Sequence, residues 1–376
     1  MNQRTAAMGG YYFCYFAAQA CMAGYLNLYL QQVVDLEGGA LGWFNGLTAL
    51  APAAVLPVIG WWADRTGWGG WMLTGALSLL LVCGSFMQAQ TGLPGLIAWG
   101  MGWEIARSAC VSLADKGAAQ RFGRRYGAWR SLGSLGFLTG GAVMGWLTRR
   151  WGLEQVLFPV YLGLLVVGLL FSFSFHAWGE KKPQSIRLGQ GMRLLQLSEF
   201  RLALMMAVVS SIGVSALQPW LGSHLVGKLG AENSFVGWNT LCCVAPELVL
   251  LPLFSGKLVP RWGCRTCFLI TSLALGVRCL IYALAATPGI FLVGSLLYSF
   301  SVCGQTAVSL AFLRQSVPRE CYTTAVTITA AVSCIGRAAA GWGFGMLYQF
   351  LGSRSIFWLV FVLVLGAVTV LRRGKT

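Results

Sequence analysis

The sequence predicts an all-α membrane protein with twelve transmembrane helices in two pseudo-symmetric six-helix bundles. Three observations carry that expectation. The 376 residues are 57% hydrophobic and only 10% charged, with a mean hydropathy of +0.68, whereas a soluble domain carries about 25% charge. Apolar stretches long enough to cross a bilayer recur twelve times, separated by short polar gaps. Motifs of the first half return in the second at offsets of 196 and 200 residues.

The stretches run roughly over 8–32, 40–63, 69–90, 92–116, 127–149, 153–176, 201–226, 233–259, 264–286, 288–314, 321–349 and 352–371, each near the 17–25 residues that a bilayer demands. The first follows Arg4 and continues through Tyr25 to Leu30, which fits a spanning helix rather than a cleaved signal. Its Tyr15, Gln19 and Asn27 share a polar-leaning face. The second closes on Gly60-Trp-Trp-Ala-Asp64-Arg65-Thr-Gly67. There Asp64 can cap the next helix and Arg65 can pair with an acid, so Gly60, Asp64, Arg65 and Gly67 form a candidate conformational latch. The eighth closes on Gly256-Lys-Leu-Val-Pro-Arg261-Trp-Gly263, an echo with proline in place of the aspartate. Gly141/Gly145 in the fifth span and Gly341/Gly345 in the eleventh form a second echo. The longest polar segment, 177–200, divides the chain into an N-terminal bundle, 1–176, and a C-terminal bundle, 201–376.

Six charged residues fall inside the expected spans: Glu104, Arg107, Arg130, Glu247, Arg278 and Arg337. An ion at the bilayer centre costs about 2.5–3.5 kcal/mol on insertion scales. Such residues belong in a protein interior or a wet cavity. Glu104 and Arg107 lie three apart on one helix, so they either neutralise each other or line that cavity. Glu247 is either a proton carrier or the fixed partner of Arg278 or Arg337. Asp115 is either a solvated charge or a gate residue that pairs with Arg130. Gln305 and Trp238 complete the candidate solute contacts, as an amide and a stacking ring. A surplus of arginine over acid within the spans points weakly to an anionic solute.

The formal charge of +16 sorts by topology. With both termini in the cytoplasm, 19 of the 27 basic residues fall on the inner side, four on the outer side and four within spans. That asymmetry obeys the positive-inside rule, so the charge reflects insertion next to an anionic leaflet and not nucleic-acid binding. The expected location is the cell (inner) membrane. Twelve cysteines and two histidines show no metal-ligand spacing. No HExxH, GxSxG or phosphate-binding loop is present. The sequence therefore calls for no cofactor, no metal and no enzymatic activity.

The chain resembles the major facilitator superfamily over nearly its whole length. The Gly60–Gly67 stretch is similar to the signature between that superfamily's second and third helices. A narrower resemblance is to the branch of phenylpropionate, nucleoside and lactose permeases. It rests on Ser112-Leu-Ala-Asp115, on Tyr126-Gly-Ala-Trp-Arg130-Ser-Leu-Gly-Ser-Leu-Gly-Phe137, on Val244-Ala-Pro-Glu247, on Gly276-Val-Arg278 and on Leu347-Tyr-Gln-Phe-Leu-Gly352. The resemblance implies two rocking bundles and proton-coupled uptake of a small organic solute such as an aromatic carboxylate, nucleoside or sugar. It implies substrate binding by Arg130, and binding or proton coupling by Glu247 and Arg278. The histidine and acid that the lactose permease carries in helix ten have no counterpart, since the region around Gly304-Gln305 is neutral. Proton-antiport efflux in the same fold is the competing reading. The expected partners are the solute, protons and the bilayer, with the chain acting as a monomer.

Overall fold

A computed structural model describes residues 3–122, 126–176, 194–317 and 322–373. Most of the 177–200 linker lies outside the described residues, as does the side chain of Asp64. Helix dominates and no strand occurs among the described residues. The first half contains α1 (Gln3–Gln32), α2 (Gly38–Thr66), α3 (Gly69–Gln88), α4 (Leu93–Phe122), α5 (Tyr126–Trp151) and α6 (Leu153–Ser172). The second half contains α7 (Ser198–Lys228), a broken α8 (234–262), α9 (Cys264–Leu284), α10 (Pro288–Ser316), α11 (Tyr322–Leu351) and α12 (Ser353–Arg373). Gly38–Ala63, Gly69–Gln88, Leu153–Phe175, Ser198–Lys228 and Cys264–Leu284 are each long and apolar enough to cross a membrane.

The internal repeat is written in the backbone. The described residues with positive φ form three pairs: Asp35 with Gly230, Gly67 with Gly263, and Gly152 with Gly352. The partners of each pair end equivalent helices of the two halves. Gly67 (φ 75°) shows the reason for glycine, since it closes α2 in the left-handed conformation with its N–H donating to the Ala63 carbonyl. A Cβ there would meet its own backbone.

The stretch Gly60–Thr66, which the sequence places at the close of the second span, forms the last turns of α2. Gly60 lies in regular helix with open space around it, so no close contact requires a glycine there. Arg65 stays exposed and sits 5.3 Å from the Trp61 ring. Two prolines, Pro52 and Pro57, lie within the continuous α2. The second half is less regular: α7 and α8 contain three short π-helical segments, Ser211–Ala216, His224–Lys228 and Phe254–Leu258.

The described helices α1 to α12 run up and down in turn, so both ends of the described chain lie at one end of the bundle. The halves meet most closely at the opposite, far end. There α2 packs on α11, α5 on α8, and α1 on α7. Glycine makes the approach possible. A Cβ added at Gly237 would lie 2.7 Å from Gly145 Cα, and one at Gly42 would lie 2.9 Å from Gly345 Cα. The two echoed GxxxG motifs thus serve equivalent contacts, α5 against α8 and α11 against α2. Polar links join the halves at the same end: Gln32 with Asn233, Arg149 with Glu232 at 3.6 Å, and Gln349 donating to Glu37 at 3.3 Å.

Candidate functional site

A cavity of about 430 Å³ lies at mid-depth between the halves. From α1 come Phe16, Gln19, Met22 and Asn27; from α2 come Phe44, Asn45 and Thr48. Helix α4 adds Trp103, Glu104 and Arg107, and α5 adds Phe137. The second half supplies Gln218 and Pro219 from α7, Tyr298 from α10, and Arg337 and Gly341 from α11. Ring faces and carboxamides therefore alternate around a small charged cluster.

That cluster is Glu104, Arg107 and Arg337. The i, i+3 spacing on α4 turns Glu104 and Arg107 toward each other. Arg107 Nε donates to Glu104 Oε2 at 2.6 Å, and Arg107 Nη2 donates to Glu104 Oε1, which makes a two-pronged pair. Arg337 Nη1 stands 3.6 Å from the same Glu104 Oε1. One carboxylate therefore faces two guanidinium groups, and the link to Arg337 crosses between the halves. Behind the pair, the Arg107 carbonyl accepts a 2.7 Å hydrogen bond from the Tyr15 hydroxyl, and Trp103 Nε1 donates to the Tyr161 hydroxyl at 2.6 Å. These bonds anchor α4 to α1 and α6.

A second cluster lies nearer the terminus end. Arg130 Nε is 3.3 Å from Asp115 Oδ1, and that oxygen also accepts from the Tyr12 hydroxyl at 2.9 Å. The Arg130 guanidinium lies 4.0 Å from the centre of the Phe16 ring, and the Phe16 side chain forms part of the cavity wall. Glu247, at the start of a short helical segment of α8, is half-buried and makes no ion pair among the described residues.

Arg278 forms a third element. It is fully buried on α9. Its Nε donates to the Tyr282 hydroxyl at 3.1 Å, that hydroxyl shares a hydrogen bond with Ser295, and Ser295 donates to Asn239 Oδ1 at 2.6 Å. Both terminal nitrogens of Arg278 lack a hydrogen-bond partner among the described residues. The Tyr298 ring lies 4.8 Å from the guanidinium and stands between it and the cavity.

Several sequence expectations need correction. Trp238 does not line the cavity; it is 58% exposed on the outer surface, because Gly237 and Asn239 turn the inner face of α8 away from it. Tyr15 is fully buried and holds the α4 backbone instead of facing solute. The other α1 tyrosines, Tyr11, Tyr12, Tyr25 and Tyr29, are likewise core. Gln305 is 1% exposed and lies away from the lining. Arg130, Arg278, Glu247 and Asp115 also stand outside the lining, as neighbours rather than walls. Glu247 pairs with neither Arg278 nor Arg337. Gln19 and Asn27 do line the cavity, as do Glu104 and Arg107.

The sequence reading missed Asn45 and Thr48, whose i, i+3 spacing within an otherwise apolar stretch was the available signal. It also left Arg337 out of the solute-contacting set.

A family model described as the MFS_1 like family matches residues 6–359. A maltose permease of Geobacillus stearothermophilus is 27% identical over 374 residues, covering 94% of this chain and 92% of the relative. A probable 3-phenylpropionic acid transporter of Escherichia coli (strain K12) is 23% identical over 389 residues, covering 98% and 96%. Among solved structures, a mutant of nucleoside transporter NupG superposes with a TM-score of 0.87 at 11% identity, covering 99% of both chains. A bacterial homologue of the human lysosomal transporter Spinster gives 0.72 at 14% identity, covering 98% of this chain and 95% of that one.

Proposed function

The chain belongs to the MFS_1 like family and is a multi-pass membrane transporter, not an enzyme; on that footing we propose that it takes up a small organic solute by proton symport and alternating access. The observation that carries this reading is the mid-depth cavity. It draws ionised residues from both halves and lies beside an interface that is sealed by glycine contacts at one end. Sites at the interface of repeated halves are what rocking transporters use. The bundles 1–176 and 201–376 are the moving bodies, with both termini in the cytoplasm of a cell (inner) membrane protein. On this reading the sealed far end faces outward, and the cavity exchanges solute with the cytoplasm. The relatives' solutes, a disaccharide, an aryl carboxylate and nucleosides, bound the size class.

Glu247 is the proposed proton carrier. It is a half-buried acid that makes no ion pair among the described residues. A desolvated carboxylate exchanges protons with whichever side its surroundings open to. The Asp115–Arg130 pair is the proposed gate on the terminus side.

The test is solute-driven alkalinisation in proteoliposomes, with maltose, uridine and 3-phenylpropionate offered in turn. Glu247→Gln should abolish proton movement while leaving solute exchange intact. Undiminished proton-coupled uptake by that variant would remove Glu247 from the mechanism.

A further inference from the structure

We propose that the solute is a monoanion, a small carboxylate seated on Arg337, and that Glu104 is the internal anion it displaces from that arginine. The inference rests on the transporter reading and narrows its substrate class. The ionisable groups lining the cavity are one acid and two arginines, which leaves one positive charge unmatched. The surplus is not shared equally. Arg107 holds both oxygens of Glu104 in a two-pronged pair. Among the described residues, Arg337 has only the edge of that carboxylate, at 3.6 Å, and the weakly accepting Cys334 sulfur at 3.3 Å. A guanidinium with five donors and no close oxygen partner is the most under-satisfied cation of the cavity wall. It presents the planar fork that a carboxylate matches with two parallel bonds.

The neutral part of the wall agrees. Asn27 Nδ2 and Asn45 Nδ2 are buried without hydrogen-bond partners among the described residues, and Asn27 is 2% exposed. Buried amide donors left empty keep the full penalty of their desolvation, so a ligand rich in acceptor oxygens is the complement they lack. These amides belong to the first half and Arg337 to the second. A carboxylate-bearing solute that bonds to both ties the halves together through itself, in place of the Arg337–Glu104 link. A neutral sugar or nucleoside would satisfy the amides but leave Arg337 facing only its long contact to Glu104.

The experiment uses matched probes on the purified full chain: 3-phenylpropionate against 3-phenylpropanamide, and glucuronate against glucose, with maltose and uridine alongside. Binding is read by thermal shift and calorimetry, since a ligand bound to the native state raises its melting temperature. The acid of at least one pair is expected to stabilise the protein while its neutral partner does not. Glu104→Gln should tighten the acid's Kd by about threefold or more, and Arg337→Gln should weaken it by about tenfold or more.

If Arg337→Gln fails to fold, the gain of affinity in Glu104→Gln still decides, because a merely structural glutamate gives no gain when removed. Equal binding within every pair, binding of the neutral member alone, or weaker acid binding in Glu104→Gln overturns the proposal. Uptake of maltose or uridine into proteoliposomes with no acid binding would sink the anion assignment and leave the transporter reading standing. An acid that binds as predicted yet crosses no liposome under any gradient would sink the transporter reading and leave the site standing.

Discussion

The two ends of the interface between the halves are built from different chemistry. At the far end, backbones touch through Gly42 and Gly345 on one side and Gly145 and Gly237 on the other. Toward the terminus end, the ion pairs lie within one half, Asp115 with Arg130 and Glu199 with Arg265. The one ion pair between the halves at the far end, Arg149 with Glu232 among the described residues, is exposed on both sides, so water takes over each charge when that end opens. Glycine contacts act by dispersion, which loses about a quarter to a half of its strength over a gap of about 0.5–1 Å. Breaking a cross-half pair of buried ions would instead leave each ion without its partner. Charges that pair inside a half keep that half rigid, while glycine surfaces let it part from its neighbour.

The strongest way to break the comparison is to fill the glycine contact. Gly237→Leu puts a Cβ 2.7 Å from Gly145 Cα, with the rest of the side chain beyond it. Overpacking of this kind costs about 1–3 kcal/mol, and the far end should no longer seal. Uptake into proteoliposomes is expected to fall by about tenfold or more, with faster hydrogen exchange over residues 38–46. Normal uptake would mean that the glycine contact takes no part in the cycle.

A smaller effect is expected at the terminus-end pair. Arg130→Gln leaves the Asp115 carboxylate with the Tyr12 hydroxyl as its remaining described partner, and loss of a hydrogen bond to a charged group costs about 1.5–3 kcal/mol. The double change with Asp115→Asn should restore part of the melting temperature, as coupled neighbours do. Additive losses would show that the two side chains do not act as a pair.

The glycines of the α2 end sharpen the contrast further. Gly67→Ala forces a Cβ into φ 75° and should destabilise by about 1–2 kcal/mol. Gly60→Ala, in open helix, should stabilise by about 0.5–1 kcal/mol. Matching signs in a thermal melt would contradict the conformations described here. The smallest effect belongs to Trp238→Ala. An outward ring far from the cavity wall should leave uptake unchanged, and a clear loss would return Trp238 to the solute site.

Much of this was legible in the chain. Glu104 and Arg107 were readable as neighbours because helical spacing fixes i, i+3 contacts before any tertiary structure forms. The repeated GxxxG motifs and the glycines after α2 and α8 marked the repeat, since close approach and positive φ both exclude a Cβ. Trp238, Tyr15 and Gln305 lie off the cavity wall for one shared reason. A helix in a membrane bundle has a lipid face, a core face and a cavity face, and apolar residues serve all three.

The sequence by itself determined that the chain crosses a membrane many times, that its halves repeat, and that ionised side chains need a protected interior. Those follow from local hydropathy, spacing and the energetic penalty of charge in lipid. Only the tertiary structure decided that Arg337 faces the partner half's Glu104 while Arg278 is screened by Tyr298, and that the glycine stripes meet across the interface. Such pairings depend on the rotation of each helix about its axis and on which helix lies opposite. Packing between segments hundreds of residues apart sets both.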